Sequence, residues 1–240
     1  GDPPGPRLQG AFVNLVWLPA AGRYFVQRSL GPKRYDFYVM EADGSGLRRT
    51  ADSVPANYWA WPSPDGRYVA YRDERSLHLM KLDDRVSRSL GEWQDTTWFD
   101  VTPGWSRDGR YVAWSDRAEI RIFDTQDGTA RSLIVAPAGS QIVAPPAWAP
   151  DGSHVAYVVR DTASGASSRL DEVWLVPSAG GSPRRIALAP DTHPRLRLET
   201  WLSSGALAAG GSQRLPATGV AYRHWLLEGF LPEVAGVRRR

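Results

Sequence analysis

The sequence of 240 residues contains no cysteine. This absence excludes disulfide bonds, zinc sites built on thiolates and cysteine nucleophiles. Long apolar runs are missing as well, since none approaches the roughly 20 residues that a membrane-spanning helix needs, and the first residues do not resemble a signal peptide. We therefore expect no transmembrane segment in this chain, while a signal or anchor removed from its start would leave no trace in it.

An excess of one charge is also missing from the body of the chain. The sequence has 29 basic and 26 acidic residues, and the last three residues, Arg238, Arg239 and Arg240, account for the net charge of +3. Nucleic-acid-binding domains instead cluster basic residues on one face. The charge pattern therefore predicts that nucleic acid is not a partner.

Aromatic residues and glycine are abundant, and many of them recur in a repeat. A tryptophan, two or three residues, Asp-Gly and an alternating apolar strand occur three times, with the glycines 43 residues apart, at residues 61–71, 105–114 and 148–157. Weaker copies surround Gly22 and Gly205. Asp-Gly is favoured in tight turns that need a positive φ, so each copy predicts a hairpin.

Each repeat is predicted to form four short antiparallel strands. Period-two alternation is strong, as in residues 119–123 and 172–176, and no window shows a helical stripe. Four strands in about 43 residues is the period of a β-propeller blade. We predict an all-β chain that is a single β-propeller domain over residues 1–240, with five blades favoured and six left open. The repeats are expected at about residues 11–54, 55–97, 98–140, 141–193 and 194–238, with the repeated tryptophans packed between blades.

The Trp-x-Pro-Asp-Gly-x-x-Val-Ala-Tyr pattern of these copies resembles the WD-like, Pro-Asp-Gly-type repeat of TolB-like propellers. The same repeat occurs in the propeller domains of prolyl-oligopeptidase-like enzymes. The resemblance covers nearly the whole chain. It implies a bacterial, periplasmic or otherwise extracytoplasmic protein that holds a partner on one propeller face. TolB propellers have six blades and a separate N-terminal α/β domain, whereas this chain shows five repeats and no such domain.

No catalytic motif stands out in the sequence. A Gly-x-Ser-x-Gly elbow and a phosphate-binding glycine-rich loop are both absent. The four histidines, His78, His154, His193 and His224, are not spaced as metal ligands. We therefore expect no enzymatic activity, no metal and no cofactor.

Ligand binding is expected at the end of the propeller where the loops between second and third strands meet the blade-to-blade segments. Arginine and aromatic residues there would suit a binding site, because both are enriched in interface hot spots. The same aromatic residues could instead fill the channel of a small propeller, and both interpretations stay open. The candidate rim comprises Arg28, Asn57, Tyr58, Trp59, Arg72, Trp98, Phe99, Asp100, Arg117 and Arg160.

Three functions are compatible with the sequence. The first is a non-catalytic binding or scaffold propeller that engages a protein or peptide, or alternatively a glycan. The second is a hydrolase or lactonase-type propeller with a metal held by Asn14, Asn57, Asp100 and Glu199, although these residues do not occupy equivalent repeat positions. The third is a gating or sensor module of a larger enzyme or receptor. The lack of a catalytic motif favours the first.

Three stretches are less regular than the rest. Residues 205–219 carry little strand signal, and residues 160–172, rich in Ser, Gly and Ala, are interpreted as a flexible loop insertion, with a partner contact as the alternative. The N-terminal strand over residues 9–17 could begin the first blade or pair with the last one.

Overall fold

The computed structural model describes residues 12–56, 59–92, 102–163, 170–188, 195–215 and 219–229. These ranges form 20 β-strands in five antiparallel sheets and contain no helix. The chain separates into two compact units, one with Gly1–Thr96 and Asp108–Tyr111, the other with Thr97–Arg107 and Val112–Arg240. The predicted all-β class with four-stranded antiparallel blades is confirmed.

The first unit contains two four-stranded sheets, each with its strands in chain order. Sheet 1 consists of β1 (Phe12–Leu18), β2 (Arg23–Gly31), β3 (Arg34–Glu41) and β4 (Arg48–Pro55). Sheet 2 consists of β5 (Ala60–Pro62), β6 (Tyr68–Arg72), β7 (Ser76–Lys81) and β8 (Ser87–Glu92).

The second unit contains the other three sheets. Only Asp108–Tyr111, which includes the first residue of β10, is assigned to the first unit. Sheet 3 consists of β9 (Gly104–Trp105), β10 (Tyr111–Ser115), β11 (Glu119–Asp124) and β12 (Ala130–Val135). In sheet 4, β13 (Ser140–Ile142) and β14 (Ala147–Trp148) both pair with β15 (His154–Asp161), followed by β16 (Glu172–Pro177) and β17 (Arg184–Leu188). Sheet 5 has three described strands, β18 (Arg195–Trp201), β19 (Leu207–Leu215) and β20 (Gly219–Leu227).

The Asp-Gly turns of the repeat form as their sequence predicts. Gly66 has a φ of +69° and Gly152 a φ of +73°, in the left-handed region that glycine enters without a steric penalty. The preceding aspartates stabilise the turn, since Asp65 Oδ1 accepts the Arg67 N–H at 3.0 Å and Asp151 Oδ1 accepts the Ser153 N–H at 2.9 Å. Each turn therefore directs the chain from the first strand of its sheet into the second.

The core of the first unit lies between the facing sides of sheets 1 and 2. Phe25 and Phe37 of sheet 1 have ring centroids 5.3 Å apart, and Phe37 meets Tyr71 of sheet 2 at 6.1 Å. Burying rings of this size dominates the energetics of a core. The buried amide of Gln27 joins the same two sheets, because its Oε1 accepts the Ala60 N–H at 3.1 Å.

The core of the second unit includes apolar side chains from sheets 4 and 5, among them Leu175 and Leu207. Two repeated tryptophans link successive sheets here. The Trp148 indole N–H donates to the Gly104 carbonyl at 3.0 Å, and the Trp201 indole N–H donates to the Ala147 carbonyl at 3.2 Å. Trp148 is only 7% exposed, which fits the expected packing between blades.

The tryptophan of the weaker copy around Gly22 departs from that expectation. Trp17 of sheet 1 is 44% exposed, and its ring centroid lies 4.9 Å from that of its cross-strand partner Tyr24, with the two ring planes tilted by 59°. The strand that carries it begins the first sheet, because β1 pairs with β2 along its length.

The weak strand signal over residues 205–219 was misleading, because β19 and β20 cover most of this stretch. The physical reason is the pair Gly210 and Gly211 in the middle of β19. A Cβ on Gly210 would lie 2.5 Å from Glu199 Oε1, and a Cβ on Gly211 would lie 2.6 Å from the Trp225 ring. The Trp225 ring leaves no room for a side chain at Gly211, whereas the flexible end of Glu199 can move away from a Cβ at Gly210.

Across the described ranges, no helix has the length and apolarity to cross a membrane.

Candidate functional site

The first unit contains an open cleft of about 400 Å³. Three segments line it: the β2–β3 turn with Pro32, Lys33 and Arg34, the end of β4 with Pro55 and Ala56, and the β6–β7 turn with Asp73, Glu74 and Arg75. The cleft therefore lies where two loops between second and third strands meet a segment that connects two sheets.

The β2–β3 turn is held in an uncommon backbone conformation. Lys33 has a φ of +57°, which a non-glycine residue adopts at a cost of about 1 kcal/mol or more. Its carbonyl accepts the Ala56 N–H at 3.2 Å, and Arg34 Nη1 donates to the Ser53 carbonyl at 2.9 Å. These hydrogen bonds attach the turn to β4 and to the segment after it, so this wall of the cleft is formed in advance.

The β6–β7 turn is organised by one carboxylate. Asp73 Oδ1 accepts the N–H groups of Arg75 at 2.8 Å and Ser76 at 2.7 Å, and its Oδ2 lies 2.7 Å from His78 Nε2. Burial raises the pKa of Asp73, but these hydrogen bonds outweigh burial and leave the pKa below its ordinary value. The ionised carboxylate therefore fixes the turn and has both oxygens engaged within the protein.

Glu74, in contrast, points to a cation on the opposite wall. Lys33 Nζ donates to Glu74 Oε1, and the two side chains are 56% and 66% exposed. The hydrogen bond from Lys33, and then the charges of Lys33 and Arg75, hold the pKa of Glu74 below its ordinary value. Two cations of the cleft therefore act on one solvent-exposed carboxylate.

Two of the predicted rim arginines, Arg28 and Arg160, are each paired with an aspartate. Arg28 donates to the buried carboxylate of Asp36 at 2.5 Å and lies 5.3 Å from the Tyr38 ring centroid. Arg160 donates to both oxygens of Asp171, at 2.7 and 2.8 Å. Asp36 lies on β3, and Asp171 lies directly before β16. Each ion pair therefore stabilises the end of a hairpin.

The remaining described rim residues are Arg72, Arg117 and Trp59. Arg72 directly precedes Asp73, is 8% exposed, and has its pKa lowered by burial. Arg117 lies in the β10–β11 turn with a φ of +75°, and its carbonyl accepts the Ile142 N–H at 2.9 Å. Trp59 follows Ala56 by three residues and is 52% exposed.

The other predicted rim residues cannot be placed. Asn57, Tyr58, Trp98, Phe99 and Asp100 lie outside the described residues, as does the middle of the predicted loop insertion, residues 164–169. At the margins of that insertion, Arg160 belongs to β15 and Asp171 is fully buried.

The four residues considered as metal ligands are not brought together by any described contact. Asn14 Nδ2 donates to the Ala60 carbonyl at 3.1 Å, and Glu199 Oε2 lies 3.0 Å from His224 Nδ1. Asn57 and Asp100 are outside the described residues. Within the part of the chain that is described, no group of three or more His, Cys, Asp or Glu residues could hold a metal ion.

The arginines of the candidate rim were placed by their distance from the turn glycine, six residues for Arg28 and Arg72 and eight for Arg117 and Arg160, and this criterion does not select the residues that line the cleft. Strand pairing shows that this distance does not define equivalent positions. Trp17 pairs with Tyr24, and Trp61 pairs with Ala70, so Arg28 lies four residues beyond the partner of its tryptophan and Arg72 only two. The available signal was the run of charged residues in each turn after the second strand, Lys33-Arg34 and Asp73-Glu74-Arg75.

Comparisons with known proteins give structural relatives only. No protein-family model matches the chain, and no curated protein matches its sequence. Among solved structures, TolB from Acinetobacter baumannii is 17% identical with a TM-score of 0.50, over 84% of this chain and 52% of that one. The structure of a putative TolB from Agrobacterium tumefaciens is 16% identical with a TM-score of 0.56, over 91% and 81%. Oligogalacturonate lyase from Vibrio parahaemolyticus is 14% identical with a TM-score of 0.54, over 84% and 58%.

These identities are low, and the chain spans only about half of the Acinetobacter TolB. The likeness therefore concerns the fold and leaves the activity open, since the relatives include a lyase as well as TolB. The described residues form five blade-like sheets, and their fold is similar to that of the TolB β-propellers.

Proposed function

We propose that this chain is a non-catalytic binding propeller that holds a protein or peptide segment in the cleft between the β2–β3 and β6–β7 turns. The observation that carries the proposal is the cleft itself, about 400 Å³ in volume, with Pro32, Pro55 and Ala56 next to charged residues of both signs. Five of its eight lining residues are charged, so charge complementarity and not apolar burial alone would decide what it binds.

The way the cleft is built supports binding. The carbonyl of Lys33 accepts the Ala56 N–H, and Asp73 binds the backbone of its own turn, so both walls are fixed before a ligand arrives. Preorganisation of this kind increases affinity because less conformational entropy is lost on association. Pro32 and Pro55 add to the rigidity, since proline fixes φ.

The two carboxylates of the cleft are not suited to act as general acids. Both oxygens of Asp73 already have partners, and the low pKa values of Asp73 and Glu74 keep these carboxylates ionised near neutral pH. A general acid at this pH would need a raised pKa instead. We further propose that the chain has no enzymatic activity, that it acts as a single propeller domain, and that it works outside the cytoplasm, as the resemblance to TolB-like propellers implies.

A selection experiment with the whole chain tests this function. The immobilised chain is used to select binders from a displayed library of random peptides, with a glycan array in parallel. Because the sequence has no cysteine, a single Glu74→Cys substitution can carry an environment-sensitive fluorophore at the cleft. We expect selected peptides to change the emission of this label.

The matched control is Asp84→Cys, labelled in the β7–β8 turn at the other end of sheet 2. Its emission should stay constant when the same peptides are added. Binding that changes only the control label, or hydrolysis of the peptides by the isolated chain, would contradict the proposed function.

A further inference from the structure

The ion pair between Lys33 and Glu74 indicates what kind of segment the cleft selects, an inference that rests on the proposed function. Glu74 Oε1 accepts a hydrogen bond from Lys33 Nζ across the two walls, and Arg75 contributes a second positive charge to the same carboxylate. The cleft therefore already contains a bound carboxylate, supplied by its own β6–β7 turn.

This internal contact is suited to exchange. Lys33 and Glu74 are 56% and 66% exposed, and exposed ion pairs contribute little to stability because solvent and salt screen them. Neither side chain is needed to hold its turn. The β2–β3 turn is held by the backbone carbonyl of Lys33, and the β6–β7 turn is held by the carboxylate of Asp73. Glu74 can leave Lys33 without disturbing either wall.

The other charged residues of the cleft also favour the binding of an anion. Lys33, Arg34 and Arg75 line it together with Asp73 and Glu74, and Asp73 is already engaged by the backbone and His78. Once Glu74 moves away, the cations of the cleft face a carboxylate supplied from outside. The adjacent Pro32 and Pro55 offer apolar surface to a neighbouring side chain.

We propose that the cleft recognises an acidic peptide segment in which a carboxylate adjoins proline or another apolar residue, and that this carboxylate replaces Glu74 at Lys33 and Arg75. Glu74 then acts as an internal competitor that keeps the empty cleft neutralised. The exchange conserves the number of ion pairs, so the selectivity comes from the charge and the apolar contact together. Charge complementarity of this kind sets specificity and association rate more than affinity.

The test uses a fluorescein-labelled peptide, Gly-Ala-Pro-Asp-Leu-Pro-Gly, and two variants with Asn or Lys in place of Asp, titrated with the whole chain by fluorescence polarisation. We expect the Asp peptide to bind tightest. Glu74→Gln should tighten its binding about threefold, and Lys33→Gln or Arg75→Gln should weaken it by a similar factor, in the range of exposed charge pairs. Raising the ionic strength from about 0.01 M to about 0.15 M should reduce the preference for Asp, because the screening length falls from about 30 Å to about 8 Å.

Matched controls come from the exposed pair Lys81 and Asp84, whose Nζ and Oδ2 atoms are 2.7 Å apart in the same sheet. Lys81→Gln and Asp84→Asn make the same changes in net charge away from the cleft. If they shift the affinity as much as the cleft variants do, the effect is one of net charge and the inference is wrong.

The outcomes separate this inference from the proposed function. Equal binding of the Asp and Asn peptides, or weaker binding of the Asp peptide to Glu74→Gln, would overturn the acidic selectivity while the cleft remained a peptide site. A stronger response of the Lys peptide would show that Glu74 itself is the recognition group. If no peptide from the random library binds the cleft, the proposed function fails.

Discussion

At Gly104 in β9, two backbone segments approach too closely for any side chain. A Cβ at this position would overlap the Pro146 carbonyl oxygen, and the Gly104 carbonyl accepts the Trp148 indole N–H at 3.0 Å. Gly104→Ala should therefore separate the first strands of sheets 3 and 4 and reduce the free energy of unfolding by about 3 kcal/mol, the upper end of the usual cost of overpacking. Urea denaturation of the purified chain measures this loss.

Gly152→Ala is the matched control for that substitution. Gly152 has a φ of +73°, but no atom lies within 4 Å of the Cβ that would be added. The control should lose only about 1 kcal/mol, from backbone strain in the left-handed region. Equal stability of Gly104→Ala and the original chain would show that the close approach at Gly104 is not needed.

His154 at the start of β15 should make stability depend on pH. Burial, the largest effect, lowers the pKa of His154 below 6.5, and its Nδ1 lies 2.8 Å from the Ser153 hydroxyl. As the pH falls through about 6.5, the unfolded chain takes up a proton at this histidine before the folded chain does, so the free energy of unfolding decreases. The contribution of His154 is fully present above that pH and is lost below it.

Denaturation of the original chain and His154→Gln from about pH 8 to about pH 5 isolates this effect, because the other histidines are common to both proteins. The difference in unfolding free energy between the two should shrink or reverse as the pH falls. A difference that stays constant over this range would contradict a lowered pKa.

Among the structural elements, Asp171 joins the strands of two sheets. It is fully buried before β16, where it accepts hydrogen bonds from Arg160 of β15 and from Arg195 and the Leu196 N–H of β18. Asp171→Asn keeps the shape but removes the charge that balances two arginines. Because these arginines are partly exposed, we expect a loss of about 2–3 kcal/mol, below the cost of breaking a fully buried pair.

Glu172→Gln is the comparison for that change. Glu172 Oε1 accepts from Arg185 Nη1 at 2.7 Å, but both side chains are accessible to water. An exposed pair should contribute less than about 1 kcal/mol. Thermal unfolding should therefore separate the two variants clearly, and similar melting temperatures would show that Asp171 has no special role in joining sheets 4 and 5.

The elements differ in how far the sequence predicts them. Alternating strands such as β11 and β16 and the Asp-Gly turns follow from local chemistry, since one face is buried and aspartate and glycine fit the turn. The strand β19 does not, because Gly211 in its middle is required by the Trp225 ring on β20. Local patterns do not contain such requirements, which arise only when the sheet is assembled.

For the molecule as a whole, the repeat predicts the propeller fold class. It also predicts the region of the candidate site, but not the residues that line it. Ligand binding was expected at the loops between second and third strands, and the cleft lies at two of these loops. Its residues were not identified, because glycine spacing does not define equivalent positions and a shift of one residue exchanges the faces of a strand. Of the predicted rim residues, Arg28 is paired with Asp36 and Arg160 with Asp171.

Amide hydrogen exchange of the whole chain, with and without a peptide selected from the random library, tests the central claim most directly. If the cleft is the binding site, exchange should slow at Ala56 and at the backbone amides of the β2–β3 and β6–β7 turns. The amides of the β7–β8 turn, at the other end of sheet 2, should be unchanged. Slower exchange in the second unit or at the β7–β8 turn, with none at the cleft, would contradict the account.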